Sequence, residues 1–348
     1  MKLSLLFLII IPGFIWPSCQ SARQAPLPQE ENTEEAEEFS FVLPPQGDNL
    51  PVSVFPEVWV YVVAGNNREL FLNDNLPITD VGYFGAEVDL YGTLVNVPNR
   101  RNLPPFSGRV HLVVSCNGRA LSYFALLPGS PQRRALIADL LAAARNFDGL
   151  QINFENIPQR AGESYFTFLS ELRAGLPADK MFTVALAART RQINNDVYDY
   201  ARIAPVVDRI LVMAYDEHWS TSAPGPIASL DWSRNVAAHS IAVIGQEKLI
   251  MGLPFYGRGW SSPSHHQAYV YTGIERIIRE NNVTEIRREN GIPTFNYEAT
   301  VSVRVFYEDE YSLSTRMEMY RSMGVNKVGF WRLGQETVAV WNYIKLEE

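Results

Sequence analysis

The chain has 348 residues, of which 47% are hydrophobic, enough for one large domain with a sizeable core. Its formal net charge is −8, and no basic cluster stands out, which excludes nucleic acid as the expected partner. An acidic surface is compatible with neutral sugars.

At the N-terminus, Lys2 is followed by the apolar run Leu3 to Ile11 and then by Pro12, Gly13, Phe14, Ile15, Trp16, Pro17, Ser18 and Cys19. This layout predicts a secretory signal over residues 1–18. The alternative, a spanning helix, needs roughly 20 apolar residues, and Pro12, Gly13 and Pro17 interrupt this run. A cysteine directly after such a run resembles the lipidated cysteine of bacterial lipoproteins, with Trp16 and Pro17 departing from the usual residues. Cys19 is therefore expected to carry a lipid, making the protein an exported, membrane-anchored lipoprotein of the periplasm or cell surface; plain secretion is the alternative. Cys116, the second of two cysteines, ends an apolar run, so both are expected to be unpaired. Residues 19–51 are polar, Pro-bearing and acidic, including Glu30, Glu31, Glu34, Glu35, Glu37 and Glu38, which predicts a disordered tether.

From residue 52 to 348, short apolar runs alternate with longer amphipathic ones. The strand expectations are Val58–Val63, Asp80–Phe84, Val110–Ser115, Gly149–Glu155, Phe182–Ala187, Arg209–Ala214, Leu249–Leu253 and Lys327–Trp331. The helix expectations are Gln132–Asn146, Gly162–Ala174, Asn195–Ala204, Trp232–Ile244, Glu310–Met323 and Gln335–Tyr343. Apolar strands without clean alternation fit a parallel sheet covered on both sides. Eight of them interleaved with helices predict an α/β fold, a (β/α)8 TIM barrel. An open doubly wound sheet would want a Gly-rich phosphate loop after its first strand, and Ala64-Gly65-Asn66-Asn67-Arg68 is not one. Between Leu253 and Lys327 lie about 70 residues, which predicts a small α+β insertion between strands 7 and 8, at about residues 261–305. It contains a helical stretch, Ile274–Asn281, and a strand-like one, Val301–Phe306.

The stretch Asp148-Gly149-Leu150-Gln151-Ile152-Asn153-Phe154-Glu155 carries most of the chemistry. Side chains alternate along a strand, so Gln151, Asn153 and Glu155 share one face and Leu150, Ile152 and Phe154 the other. In a barrel the apolar set meets the helices. The polar set then climbs inward to Glu155 at the C-terminal rim, where barrel active sites sit. A carboxyl there can have its pKa raised and serve as a general acid. Adjacent His265 and His266 point apart on an extended chain and lack a third ligand nearby, so no metal and no other cofactor is expected.

This stretch resembles the Asp-x-x-Asp-x-Asp-x-Glu signature of glycoside hydrolase family 18. Three further segments resemble that family in order: Met213-Ala214-Tyr215-Asp216, Gly252-Leu253-Pro254-Phe255-Tyr256-Gly257-Arg258 and Val328-Gly329-Phe330-Trp331. The resemblance spans roughly Val58 to Tyr343 and is nearest to the bacterial branch acting on spore peptidoglycan, without LysM-like repeats. It implies an N-acetylglucosamine-containing glycan as partner, either peptidoglycan or chito-oligosaccharide, and substrate-assisted retaining hydrolysis. By the same resemblance Glu155 is the acid, Asn153 and Tyr215 orient the acetamido group, and Asp216, Arg258, Tyr256, Met213 and Gln151 line the sugar site over Trp331. The chain departs from the pattern at Gln151 and Asn153, where the family has acids. The amide at Asn153 carries no charge to offset the cationic intermediate, so reduced activity is expected. The rival expectation is a glycan-binding lipoprotein that does not cut, and a third is a structural lipoprotein with a vestigial cleft.

Overall fold

A computed structural model describes residues 49–65, 71–261, 265–298 and 302–347. The expected signal peptide, the lipidation site Cys19 and the acidic stretch up to residue 48 lie outside the described residues.

Eight parallel strands form the frame: β1 (Glu57–Val63), β2 (Asp80–Val88), β3 (Arg109–Cys116), β4 (Gly149–Phe154), β5 (Met181–Ala187), β6 (Arg209–Met213), β7 (Leu249–Pro254) and β8 (Lys327–Trp331). They pair in the order β1-β8-β7-β6-β5-β4-β3-β2, and β1 pairs again with β2. That last pairing closes the sheet, so the fold is the expected (β/α)8 barrel and not an open doubly wound sheet.

The barrel interior is filled by Trp59, Tyr61, Val113, Ala185, Leu211 and Ile250, with Phe84, Met213 and Trp331 above them toward the C-terminal rim. Space for these bulky groups comes from glycines on neighbouring strands. A Cβ at Gly82 would sit 2.6 Å from the Tyr61 ring, and one at Gly329 would sit 2.7 Å from Leu211. Toward the N-terminal end, Asp80 is fully buried and accepts from Arg109 Nε (2.7 Å) and Nη2 (2.8 Å), while His111 Nε2 lies 2.7 Å from it. Burial alone would raise the Asp80 pKa, but hydrogen bonds from His111 and Arg109 outweigh it and hold the carboxyl below its usual range.

Helices Pro131–Ala144, Gly162–Gly175, Leu230–Ile244 and Glu310–Ser322 pack outside. Side chains cap three of them: Ser130, Ser229, and Asp309 in a capping box with Ser312. Two helix expectations need correction. In place of Asn195–Ala204 there is one helical turn, Tyr200–Ile203. Asn195 is left-handed (φ 55°), and the Asp196 carboxylate turns back to Arg189 (2.6 Å) and to the Tyr198 N–H (3.0 Å), which prevents an earlier start. In place of Gln335–Tyr343 there is a 3₁₀ segment, Val338–Tyr343, because the Glu336 carboxylate takes the Gln335 N–H and the Trp341 indole N–H. The chain also makes a short helix, Arg119–Ala125, directly after β3.

The insertion between β7 and β8 begins earlier than expected, at Tyr256. It holds five antiparallel strands (Tyr256–Ser261, His265–Val270, Arg287–Glu289, Ile292–Glu298 and Ser302–Phe306) and the helix Tyr271–Glu280. Ile274, Ile277, Phe295, Val303, Val305 and Tyr307 make its own small core. Cys116 is a free thiol, buried, its pKa pushed up to about 11 by burial against the opposing Ser122 hydroxyl.

Candidate active site

On β4 the expected alternation holds. Leu150, Ile152 and Phe154 are buried against the outer layer, and Phe154 stacks on Phe168 of the helix Gly162–Gly175 at 5.6 Å. Gln151 and Asn153 face the barrel interior, and Glu155 follows at the rim of a cleft of about 740 Å³. The backbone around Glu155 is held on both sides. Tyr198 donates its hydroxyl to the Phe154 carbonyl and accepts the Ile157 N–H, each at 3.1 Å, and the Ser122 hydroxyl lies 3.5 Å from the Glu155 carbonyl.

The Glu155 side chain opens onto the cleft on one side and is walled by protein on the other. Loss of solvent on the walled side raises its pKa above the ordinary glutamate value. The Asn153 amide opposes this, donating from Nδ2 to Glu155 Oε1 at 3.4 Å and so favouring the carboxylate. The nearby Asp216 charge adds to the rise. Asn153 Oδ1 is buried and has no hydrogen-bond partner among the described residues, an acceptor next to the general-acid candidate.

Strand β6 delivers Met213, Tyr215 and Asp216 to the same cleft. Gly252 on β7 makes room for the Tyr215 ring, since a Cβ there would lie 2.9 Å from it. Asp216 sits in a left-handed conformation (φ 58°), and its Oδ1 accepts from the Tyr256 hydroxyl (2.6 Å) and Arg258 Nη2 (3.0 Å). Tyr256 and Arg258 lie on the first strand of the insertion, so the insertion supplies part of the cleft wall. The Tyr215 and Tyr256 rings meet edge-on at 6.4 Å. Burial first, and then the charges of Glu155 and Asp216 for Tyr215 and of Asp216 for Tyr256, raise both phenol pKa values well above the usual range. Both therefore stay neutral hydroxyl donors at physiological pH.

Trp331 ends β8 at the cleft floor, 5.4 Å from Tyr61 and 5.3 Å from Phe84 between ring centroids. It joins Arg332 through a cis peptide. Of the nine site residues expected from sequence, eight line this one cleft: Glu155, Asn153, Tyr215, Asp216, Arg258, Trp331, Tyr256 and Met213. Gln151 does not, and the expectation of a direct sugar contact is corrected. It is fully buried below the floor, accepting from the Tyr61 hydroxyl (2.5 Å) and donating to Thr183 (3.1 Å), so it supports Tyr61 from beneath. Sequence reading missed Tyr61, Phe84, Trp232 and Gln335, which also line the cleft. For Tyr61 the signal was available: it is an aromatic with a polar tip on the inward face of an apolar strand.

A family model described as Glycosyl hydrolases family 18 matches residues 101–336. The Bacillus subtilis protein YdhD, named as a sporulation-specific glycosylase, is 30% identical over 206 residues, 56% of this chain and 48% of its own length. The cortical fragment-lytic enzyme of Bacillus anthracis is 22% identical over 290 residues, covering 77% of this chain and 67% of that protein. The chain thus spans between about half and two thirds of the length of these relatives. Among solved structures, the spore cortex-lytic enzyme SleL of Bacillus cereus superposes with a TM-score of 0.73 at 20% identity, over 87% of this chain and 76% of that one.

Proposed function

We propose a catalytic function from one premise: the chain belongs to the family 18 glycosyl hydrolases, and is a glycosidase related to spore cortex-lytic enzymes and chitinases. The specific reading is hydrolysis of β-linked N-acetylglucosamine glycans, peptidoglycan or chito-oligosaccharide, by substrate-assisted retaining catalysis. One observation carries it: a carboxyl of raised pKa, Glu155, shares a single cleft with Tyr215, Asp216 and an aromatic floor, Trp331.

In this reading the sugar ring lies on Trp331, and Asp216 and Arg258 hold its hydroxyls. The acetamido carbonyl oxygen attacks the anomeric carbon while Glu155 gives its proton to the departing glycosidic oxygen. Tyr215, kept neutral, donates to the acetamido oxygen and steadies it for attack. The resulting oxazolinium is opened by water, whose proton returns to Glu155, and the product keeps the β configuration. Asn153 Oδ1, which has no partner among the described residues, accepts the acetamido N–H, but as an amide it offsets no positive charge. Losing such a preorganised interaction costs about 3 kcal/mol, so turnover is slow by roughly a hundred- to thousandfold against a carboxylate at that position.

The Asn153 amide also favours a second reading, a lipoprotein that holds the glycan without cutting it. Export and attachment to a membrane through Cys19 belong to both readings and rest on the leader sequence. The test is release of reducing ends from peptidoglycan and from chito-oligosaccharides, run beside a binding titration. The glycosidase reading expects slow release that needs Glu155; binding without any release favours the second.

A further inference from the structure

At its C-terminal end β2 runs on into a hairpin that carries apolar side chains into solvent. Glu87 and Val88 pair antiparallel with Val95 and Leu94, and residues 89–93 close the turn. Asp89 fixes it: its N–H donates to the Thr93 carbonyl, its carbonyl accepts the Gly92 N–H, and its Oδ1 accepts the Tyr91 and Thr93 N–H groups, all at 2.9 Å. Gly92 takes φ 78° and packs against the Phe124 ring, which a Cβ there would approach to 3.1 Å. At the tip Leu90 and Tyr91 are 85% and 80% exposed, and Phe124 and Leu127, at the end of the helix Arg119–Ala125, are exposed as well. Single apolar side chains on a surface are ordinary, but these four adjoin one another on an ordered turn and helix end.

The surroundings of this patch are basic. No run of basic residues marks it in the sequence, yet residues 90–138 hold six arginines and no aspartate or glutamate, in a chain of net charge −8. Arg100, Arg109 and Arg133 are taken up by Asp148, Asp80 and Glu171. Arg134 instead donates to the Gly129 carbonyl (2.6 Å), in the turn that begins at Leu127, and Arg119 opens the helix that carries Phe124. From the turn after β4, the Arg160 guanidinium lies 4.2 Å from the centroid of the Tyr123 ring, the residue before Phe124. All three are exposed, and among the described residues none has a carboxylate partner. The acids nearest Arg160 in sequence and groove, Glu163 and Asp196, are held by Arg202 and Arg189.

We propose that this face of the folded barrel docks on an anionic lipid surface, with Leu90 and Tyr91 entering the interfacial layer and Arg134, Arg160 and Arg119 meeting the phosphate headgroups. The site is distinct from acyl attachment at Cys19 and from the chemistry of Glu155, and it requires neither. Leucine supplies apolar burial, tyrosine places an apolar ring at headgroup depth with its hydroxyl wet, and each arginine near an anionic surface adds attraction. A neutral glycan has no use for the cations. The tip protrudes and is already ordered, which suits a yielding medium and loses little entropy on docking. The Ser122 hydroxyl of the helix that carries Phe124 lies 3.5 Å from the Glu155 carbonyl, so docking here holds the cleft mouth beside the lipid.

The test is a local one, made on the full-length chain with Cys19→Ser so that no acyl group tethers it and no second thiol competes, Cys116 being buried. An environment-sensitive fluorophore is attached at Leu90→Cys and, for comparison, at Ala178→Cys, in the exposed turn before β5 at the opposite end of the barrel. Each is mixed with vesicles of phosphatidylcholine and phosphatidylglycerol, or of phosphatidylcholine alone. The label at position 90 is expected to shift to the blue on the anionic vesicles, with little change on the neutral ones and none at position 178. Added salt should reduce the shift. Arg134→Gln together with Arg160→Gln should weaken the lipid affinity read from it by roughly tenfold or more, with circular dichroism unchanged. No shift at position 90, equal shifts at 90 and 178, or equal shifts on both kinds of vesicle overturns the proposal. A shift that grows with protein concentration without vesicles gives the patch to a second copy of the chain, and one produced by chito-oligosaccharide alone gives it to the glycan; either result also overturns it.

Discussion

Replacing Asn153 by aspartate changes two things at Glu155, and both act in one direction. The substitution removes the amide donor that lies 3.4 Å from Glu155 Oε1 and favours the carboxylate. It also introduces a negative charge at about that distance. Two unit charges ~4 Å apart interact by about 4 kcal/mol at an effective dielectric near 20. Glu155 faces open solvent on one side, so about half of this, ~2 kcal/mol, is a fair allowance after screening. That corresponds to roughly 1.5 pKa units. A like charge disfavours ionisation, so the Glu155 pKa rises, and the acid form persists to higher pH. The alkaline limb of the kcat–pH profile should therefore move up by about one to two units in Asn153→Asp. The new charge should also stabilise the cationic intermediate, raising kcat at least tenfold toward the limit of roughly a hundred- to thousandfold. The assay is turnover of a chromogenic N-acetylglucosamine oligomer across pH. Circular dichroism and a thermal melt check that a carboxylate at this nearly buried position, 6% exposed, has not weakened the fold. A variant that folds and binds sugar normally, yet shows neither a faster kcat nor a shifted limb, refutes the reasoning: the missing charge would not be what limits this site.

Three further outcomes are expected. Trp331→Ala should weaken glycan affinity by roughly tenfold or more in a titration while the thermal midpoint moves modestly, because the half-buried ring lines the cleft and meets its aromatic neighbours Tyr61 and Phe84 only tilted or edge-on; a collapse in stability with affinity unchanged would make it a core residue. Tyr61→Phe leaves the fully buried Gln151 Oε1 without its 2.5 Å donor, which should cost about 1–3 kcal/mol in denaturant unfolding; no measurable loss would mean that this hydrogen bond adds nothing net. Metabolic labelling with a fatty acid should mark the wild-type protein and not Cys19→Ser, and equal labelling of both would end the lipoprotein reading.

The barrel was legible because its strands are mostly apolar runs bounded by polar breaks, with inward polar residues such as Gln151 and Asn153 at a few positions, and each of the eight appears within a few residues of its expected position. The helical errors share a cause. Asp196 and Glu336 sit in stretches with acceptable helical periodicity, but their carboxylates capture nearby backbone or side-chain donors, a local competition that periodicity does not register. The first strand of the insertion was read only as a motif, because Gly257 and Gly259 lower its strand signal. In the fold both are needed: a Cβ at Gly257 would lie 2.5 Å from Tyr307 Cβ, and one at Gly259 would lie 2.9 Å from the Tyr269 ring. At the site, the motif residues were legible because Asn153, Glu155, Met213, Tyr215, Asp216 and Trp331 sit at or just past the ends of barrel strands, and Tyr256 and Arg258 follow directly on β7. The support was not. Tyr61 reaches the cleft from β1 and Gln151 turns away beneath it, and which of two polar inward residues meets the ligand depends on depth in the barrel, which alternation along one strand does not encode.

The central claim is that this cleft cleaves a glycosidic bond with Glu155 as its acid, and proton NMR of the reaction reads it directly. N-acetylglucosamine oligomer is incubated with wild-type protein and with Glu155→Gln, and the anomeric signals of newly formed reducing ends are followed before mutarotation. Wild type is expected to release product slowly with the β anomer appearing first, and the folded, sugar-binding Glu155→Gln variant to release none. Initial α anomer, or release that survives in Glu155→Gln, would contradict it.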